Sequence, residues 1–99
     1  MASTPPLERG EDAWSLVPTA EFSAGLRKLD RAVGRRVVKT LDAIVATGDP
    51  RGRGTGLQGP LSGLWRYRIG DHRVLCEIHD TELVVLALAV RHRSKAYRR

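Results

Sequence analysis

Arg66, Arg68 and Arg73 fall within eight positions of one another in the stretch LWRYRIGDHRVL, residues 64–75. Around them stand Trp65, Tyr67, Ile69 and Val74, residue types that favour strands. A guanidinium keeps its proton in proteins and offers a rigid fork of N–H donors that fits phosphate oxygens two at a time. Binding a phosphodiester, or stabilising one as it breaks, is the chemistry such a cluster serves. Whether the three act together depends on register. Gly70-Asp71 reads as a two-residue hairpin turn, which pairs Ile69 with His72, Arg68 with Arg73, and Arg66 with Leu75. Alternation along each strand then puts Trp65, Tyr67, Ile69, Val74, Cys76 and Ile78 on one face and the three arginines on the other. Arg68 directly opposite Arg73 is a like-charge cross-strand pair, which costs stability. Glu77, on the same face and diagonal to Arg66, offsets part of this. Arginine stems can also lie along apolar surface with their heads in water. One carboxylate among several guanidiniums still leaves a surplus, so an anion is expected there.

The rest of the chain supports that expectation. Of the formal net charge of +6, residues 1–50 contribute nothing, with seven basic and seven acidic side chains. Residues 51–99 hold ten basic and four acidic ones, together with all three histidines. A basic half of this kind suggests a polyanionic partner. Ninety-nine residues make one domain. The longest apolar run, LVVLALAV at 83–90, suits a buried strand but is far too short to cross a bilayer, so no membrane partner is expected. The opening MASTPPLERGED does not have the form of a secretory signal, and residues 1–12 read as a loose tail ahead of a domain at 13–99. Cys76 is the single cysteine, which excludes an internal disulfide and a thiolate zinc site. No metal and no cofactor are expected, and a reducing cytoplasm is the natural setting.

The elements that position the arginines follow from periodicity and caps. AWSLV, 13–17, is a short strand ended by Pro18, and Thr19 caps a helix carrying Phe22, Leu26 and Leu29 on one face. Asp30 caps a second helix with Val33, Val37, Leu41 and Ile44 or Val45 at helical spacing, stopped by Gly48-Asp49-Pro50. Its outer face is basic, with Arg31, Arg35, Arg36 and Lys39. Residues 51–63, with five glycines and a proline, read as a loop that carries Arg51 and Arg53 over a phosphate chain or simply links elements. Strands follow at 64–69, 72–79 and 82–91, the last apolar on both faces and so expected inside the sheet. The polar end RHRSKAYRR suits a short helical turn. The expected class is α+β: an N-terminal strand and a two-helix hairpin packed on one face of a mainly antiparallel four-stranded sheet.

This order, with LWRYRIGDHRVLCEI followed by VVLALAVRHRSKAY, resembles the RelE branch of the RelE/ParE toxin superfamily over residues 13–98. The first block points to the superfamily; Arg91 and Tyr97 point to the RelE branch. The resemblance implies a toxin of a type II toxin–antitoxin system, a ribosome-dependent endoribonuclease that cuts messenger RNA in the decoding site. It also implies a cognate antitoxin from the adjacent gene, with operator DNA bound only through the antitoxin complex. Carried over residue by residue, the catalytic set is Arg66, Arg68, Arg73, Arg91 and Tyr97. Arg51, Arg53, Arg93 and Lys95 would hold RNA phosphates. Arg91 shares the parity of Val85, Ala87 and Ala89, so a groove floored by small side chains is expected beside it.

The base of the reaction stays open at this level. Some members of the resembled group carry lysines where Arg66 and Arg68 stand, and arginine is a poor base. Tyr97, the ribosome, or His92 remain, with His92 ranked lower because strand parity puts it opposite Arg91. His72 shares the apolar face and reads as structural, Cys76 as a small buried hydrophobe, and Trp14 and Trp65 as core. Two other classes have the same architecture: a ParE-like inhibitor of DNA gyrase, and a non-catalytic module that binds nucleic acid or antitoxin.

Overall fold

A computed structural model describes residues 13–95. Strand β1 spans Ser15–Pro18, helix α1 Ala20–Arg27 and helix α2 Arg31–Ala46. Strands β2 (Thr55–Gly56), β3 (Trp65–Ile69), β4 (His72–His79) and β5 (Val84–His92) follow, with single 3-10 turns at Gly59–Leu61 and Arg93–Lys95. The α+β class is as expected, but the sheet has five strands, in the order β1-β5-β4-β3-β2. The extra strand is β2, antiparallel to β3 through Thr55 opposite Arg66 and Gly56 opposite Trp65. Its glycines hide it from propensity. β1 joins β5 in parallel, and the other pairings are antiparallel.

Both helix starts are where their caps place them. The Thr19 hydroxyl accepts from the Phe22 amide at 3.1 Å, and the Asp30 carboxylate accepts from the Ala32 amide at 3.1 Å. α2 ends before Gly48, whose φ of 77° suits only glycine without strain. Phe22, Val37, Leu41, Ile44 and Val45 from the helices meet Tyr67, Ile69, Val74, Cys76, Val85, Ala87 and Val90 from one sheet face. This is the core. Tyr67 is buried within it and donates its hydroxyl to the Pro50 carbonyl, tying the exit of α2 to β3. Trp14 is core as expected, whereas Trp65 is only half-buried against it.

The segment 51–63 is not a free arm. The Trp65 indole donates to the Arg53 carbonyl at 2.7 Å, and the Leu57 amide donates to the Leu64 carbonyl at 3.0 Å. Gly54, at a φ of 85°, runs so close to β3 that a Cβ there would lie 2.5 Å from the Trp65 indole nitrogen. Arg51 forms a two-pronged pair with Asp80, at 2.8 and 3.0 Å.

The hairpin register is the one the turn dictates: Ile69 faces His72, Arg68 faces Arg73, and Arg66 faces Leu75. Between β4 and β5 the ladder is interrupted. Cys76 pairs with Ala87 but Leu75 pairs with Ala89, so Leu88 is an extra residue in a β-bulge. The bulge inverts the alternation along β5. Val85 and Ala87 belong to the core, while Ala89 is outside that cluster and shares the opposite face with Leu75. The groove floor expected from simple parity is therefore corrected. Val85 and Ala87 face the helices, and Ala89 alone of the three shares a face with Arg91.

Thr19 fastens this bulge. Its amide donates to the Ala87 carbonyl at 3.0 Å and its hydroxyl donates to the Leu88 carbonyl at 3.1 Å, while the same hydroxyl caps α1. Thr19→Ala should cost about 1–2 kcal/mol, the upper range for a lost cap, with Thr19→Ser recovering most of it. Urea unfolding of the two variants checks this.

At the end of the same strand pair, His72 faces His92, with ring centroids 5.4 Å apart and the planes at 87°. Burial lowers the His72 pKa, His92 and Arg73 lower it further, and Asp71 acts against them. The folded chain thus holds this proton less readily than the unfolded chain, and unfolding takes up protons. Stability should be full above the unfolded imidazole value of about 6.5 and fall as pH drops through it. His72→Asn should flatten that dependence, bringing the urea midpoints at about pH 7.5 and about pH 5.5 closer together than in the wild type.

Candidate functional site

Three strands build the site, on the sheet face away from the helices. Arg68 is the register partner of Arg73, and Arg73 is the register partner of Arg91. The result is a row of three arginines straight across β3, β4 and β5, spanning about 10 Å at the usual strand spacing. Arg66 stands one row along, beside Thr55 on one side and Leu75 on the other. Leu75 and Ala89 continue that second row as a buried apolar strip.

The row is electrostatically loaded. Among the described residues, Arg66, Arg68 and Arg73 form no ion pair with a carboxylate. Glu77, the expected partial counter-charge, accepts instead from His79 at 3.0 Å. Partial burial and the neighbouring Arg68, Arg66 and Arg93 all lower the pKa of Arg73, with Asp71 the one opposing charge. Arginine stays protonated through such a shift, so the like-charge repulsion within the row remains. Arg73 Nη1 donates to the Gly70 and His72 carbonyls at 3.1 and 3.0 Å. The hairpin turn thus holds the guanidinium through Nη1. Arg91 lies at the strand edge beyond the end of β1 and leans toward α1, 3.5 Å from Glu21.

The other residues picked out by sequence divide by location. Arg93 joins the cluster: its amide donates to the Asp71 carbonyl at 2.7 Å and its Nε lies 3.7 Å from the Asp71 carboxylate. The terminal turn therefore docks on the β3–β4 turn. Lys95 and His92 line a cleft at the helix side of this edge, with Glu21, Lys28, His72 and Arg91. His92 is indeed opposite Arg91 in facing, and its Nδ1 accepts from the Ser94 amide at 3.2 Å. Arg51 is elsewhere, committed to Asp80 and 6.0 Å over the Trp65 ring. Asp80 lies seven residues along the chain from Arg73, about 23 Å at strand rise, so Arg51 does not join the row. Arg53 sits beside α2 with Arg36 and Lys39. Tyr97 lies outside the described residues. Cys76 is fully buried, and burial pushes its thiol up to about 12, which removes it as a nucleophile.

Sequence reasoning missed two contributors. Thr19 reads only as a helix cap, yet it anchors the bulge that aims Arg91; no local signal marks a bulge inside an apolar run. Arg36 reads as part of a solvated helix face, yet it reaches the hairpin turn at Gly70. Among the described residues no three His, Cys, Asp or Glu side chains gather as metal ligands would, and no helix is long and apolar enough to cross a membrane.

Solved structures share this fold. The fold is similar to the toxin–antitoxin complex RelBE2 from Mycobacterium tuberculosis, with a TM-score of 0.76 and 27% identity over 82% of this chain and 99% of that one. It is also similar to the archaeal RelE–RelB complex from Pyrococcus horikoshii (TM-score 0.65, 24% identity, 85% of this chain and 99% of that one). The isolated E. coli RelE toxin matches with a TM-score of 0.66 and 22% identity over 88% of each chain. The last two likenesses speak for the fold alone. No curated protein matches the chain in sequence. The model of the ParE toxin of the type II toxin–antitoxin system parDE matches residues 16–97, nearly all of the domain. With that match and the shared fold, the chain belongs to the ParE toxin family of type II toxin–antitoxin systems, within the RelE/ParE superfamily.

Proposed function

We propose that the chain is a ribosome-dependent endoribonuclease that cuts messenger RNA in the decoding site and so arrests translation. The observation that carries this reading is the arginine row Arg68, Arg73, Arg91, with Arg66 beside it and no carboxylate paired to Arg66, Arg68 or Arg73 among the described residues. The ribose 2′-hydroxyl attacks the adjacent phosphorus, the bond to the 5′ oxygen breaks, and the products are a 2′,3′-cyclic phosphate and a 5′-hydroxyl. A base removes the 2′ proton, and the departing 5′ oxygen receives one. Negative charge grows on the phosphoryl oxygens between these events. Arg73, oriented by its own turn carbonyls, meets that charge with two parallel N–H donors, and Arg91 assists. Arg66 and Arg68 hold the flanking phosphates. The proton relay falls to Tyr97 or to the ribosome.

The partner that restrains such a surface is a cognate antitoxin from the adjacent gene, supplying an acidic or amphipathic segment that folds on binding. The RelBE2 complex with which the fold compares is a toxin–antitoxin complex, which supports this. Operator DNA is then reached only through the toxin–antitoxin complex, in the cytoplasm. A second reading is favoured by one observation, the family model, which describes parDE toxins. On that reading the chain poisons DNA gyrase and the arginine row grips a different anion.

An in vitro translation reaction with 5′-end mapping of the message separates the two. The wild type should cut within codons. Arg73→Ala should cut about 100- to 1,000-fold more slowly, the usual cost of one lost oxyanion donor. Arg73→Lys should remain strongly impaired, because lysine keeps the charge but not the fork. Equal cutting by wild type and Arg73→Ala sinks the mechanism, and an intact message with a supercoiling defect in cells moves the assignment to gyrase.

A further inference from the structure

A second basic surface lies around the corner from the arginine row, on the helix side of the sheet. Arg36, Lys39, Thr40 and Ala43 occupy one side of α2 at spacings of three and four residues, and the segment before β2 brings Arg53 against them. Together these five residues line a shallow depression. Arg53 is held there firmly, because its carbonyl is fixed by the Trp65 indole and the next residue, Gly54, lies flush on β3. Arg36, Lys39 and Arg53 are all exposed, and among the described residues none forms an ion pair. Three like charges gathered over Thr40 and the small Ala43 repeat, on a smaller scale, the imbalance of the arginine row.

The two surfaces meet at one residue. Arg73 Nη1 donates to the Gly70 carbonyl at 3.1 Å from the sheet face. On the other side, Arg36 Nη1 stands 3.2 Å from where a Cβ of Gly70 would be. The turn is bare at that point, since Gly70 has a φ of 58° and no side chain to separate the two guanidiniums. A chain of phosphates leaving Arg68 and Arg73 across the turn reaches Arg36 next, then Lys39 and Arg53.

We propose that Arg36, Lys39 and Arg53 form a second phosphodiester-binding surface that takes RNA backbone beyond the strand gripped by the arginine row. This rests on the RNA reading above. The backbone belongs either to the continuation of the same strand or to ribosomal RNA, and the two sources are separable by experiment.

The test measures binding, not cutting, as a function of salt. The probes are a labelled RNA of about 4 nucleotides, one of about 15, and ribosomes without message. Arg36→Glu/Lys39→Glu is compared with Arg31→Glu/Arg35→Glu, an equal change of net charge at exposed positions on the same helix but outside the depression. Two lost phosphate contacts on a single strand should reduce the log–log salt slope by roughly 1.4, with the control pair moving it much less. The short RNA, confined to the arginine row, should be indifferent to both pairs. A reduced slope for the long RNA identifies the source as the same strand. A reduced slope for ribosomes alone identifies ribosomal RNA. Arg53→Glu, which lies off the helix, should act in the same direction and guards against a folding artefact. Equal effects of the two pairs, or none on either probe, overturn the proposal. A chain that binds with the expected slope change but never cuts RNA leaves this surface standing and removes the nuclease.

Discussion

The site depends on one irregularity in the sheet and on the threonine that fastens it. β5 must do two incompatible things: its first half buries Val85 and Ala87 in the core, and its second half presents Arg91 to the opposite face. These three positions share parity, so a regular strand would point Arg91 at the helices. The extra residue at Leu88 resolves the conflict, and Thr19 holds it: its amide bonds the Ala87 carbonyl and its hydroxyl bonds the carbonyl of Leu88 itself. Thr19 also starts α1, so one side chain fixes the helix, the strand and the direction of a guanidinium. Gly25 completes the contact, since a Cβ there would press on Val90 at 3.3 Å. The core and the arginine row are in this sense a single construction.

That construction accepts a cost. Three arginines in adjacent register positions repel one another, and Arg73 shows the effect through a pKa lowered by partial burial and then by its basic neighbours. Elsewhere the same chain neutralises its arginines where neutralisation serves the fold: Arg51 is paired in two places with Asp80, and Glu77 is taken by His79. Acidic groups are therefore available to the sheet, yet among the described residues none forms an ion pair with Arg66, Arg68 or Arg73. Asp71, the one that acts on Arg73, pairs with Arg93. A surface that leaves its charges unpaired in the free state gains more when a polyanion arrives, because no internal ion pair has to be broken first.

What could be read from sequence follows the range of each interaction. Gly70-Asp71 sets the β3–β4 register by itself, so the facing of Arg66, Arg68 and Arg73 was legible to the residue. The caps at Thr19 and Asp30 and the glycine stop at Gly48 are likewise local, and the helices obey them. The bulge was not legible, because VVLALAV is apolar on both sides and offers no break in alternation from which to infer an extra residue. β2 was not legible because Thr55-Gly56 pairs through backbone alone, guided by Gly54 pressed on Trp65. Arg51 illustrates the opposite failure: a basic residue in a glycine-rich loop suggests a mobile phosphate contact, yet a distant Asp80 claims it. Partners far apart in sequence decide these cases, and no local pattern encodes them.

The absence of lysine from positions 66 and 68 constrains the proposed reaction further. Of the described side chains near the row, Arg66, Arg68, Arg73 and Arg93 can donate but cannot take a proton at working pH. Tyr67 is buried in the core with its pKa raised by that burial, and it faces away from the row. Cys76 is buried on the same side. His72 is engaged edge-on with His92. His92 faces away from Arg91, and its Nδ1 accepts from the Ser94 amide. In the proposed reaction the arginines stabilise charge on a phosphate through hydrogen bonds, without giving up a proton. None of these described side chains is placed to accept the 2′-hydroxyl proton, so the proposed reaction draws its base from Tyr97 or from the ribosome. Under that proposal, a decoding site that presents the substrate already oriented is the setting such a surface needs.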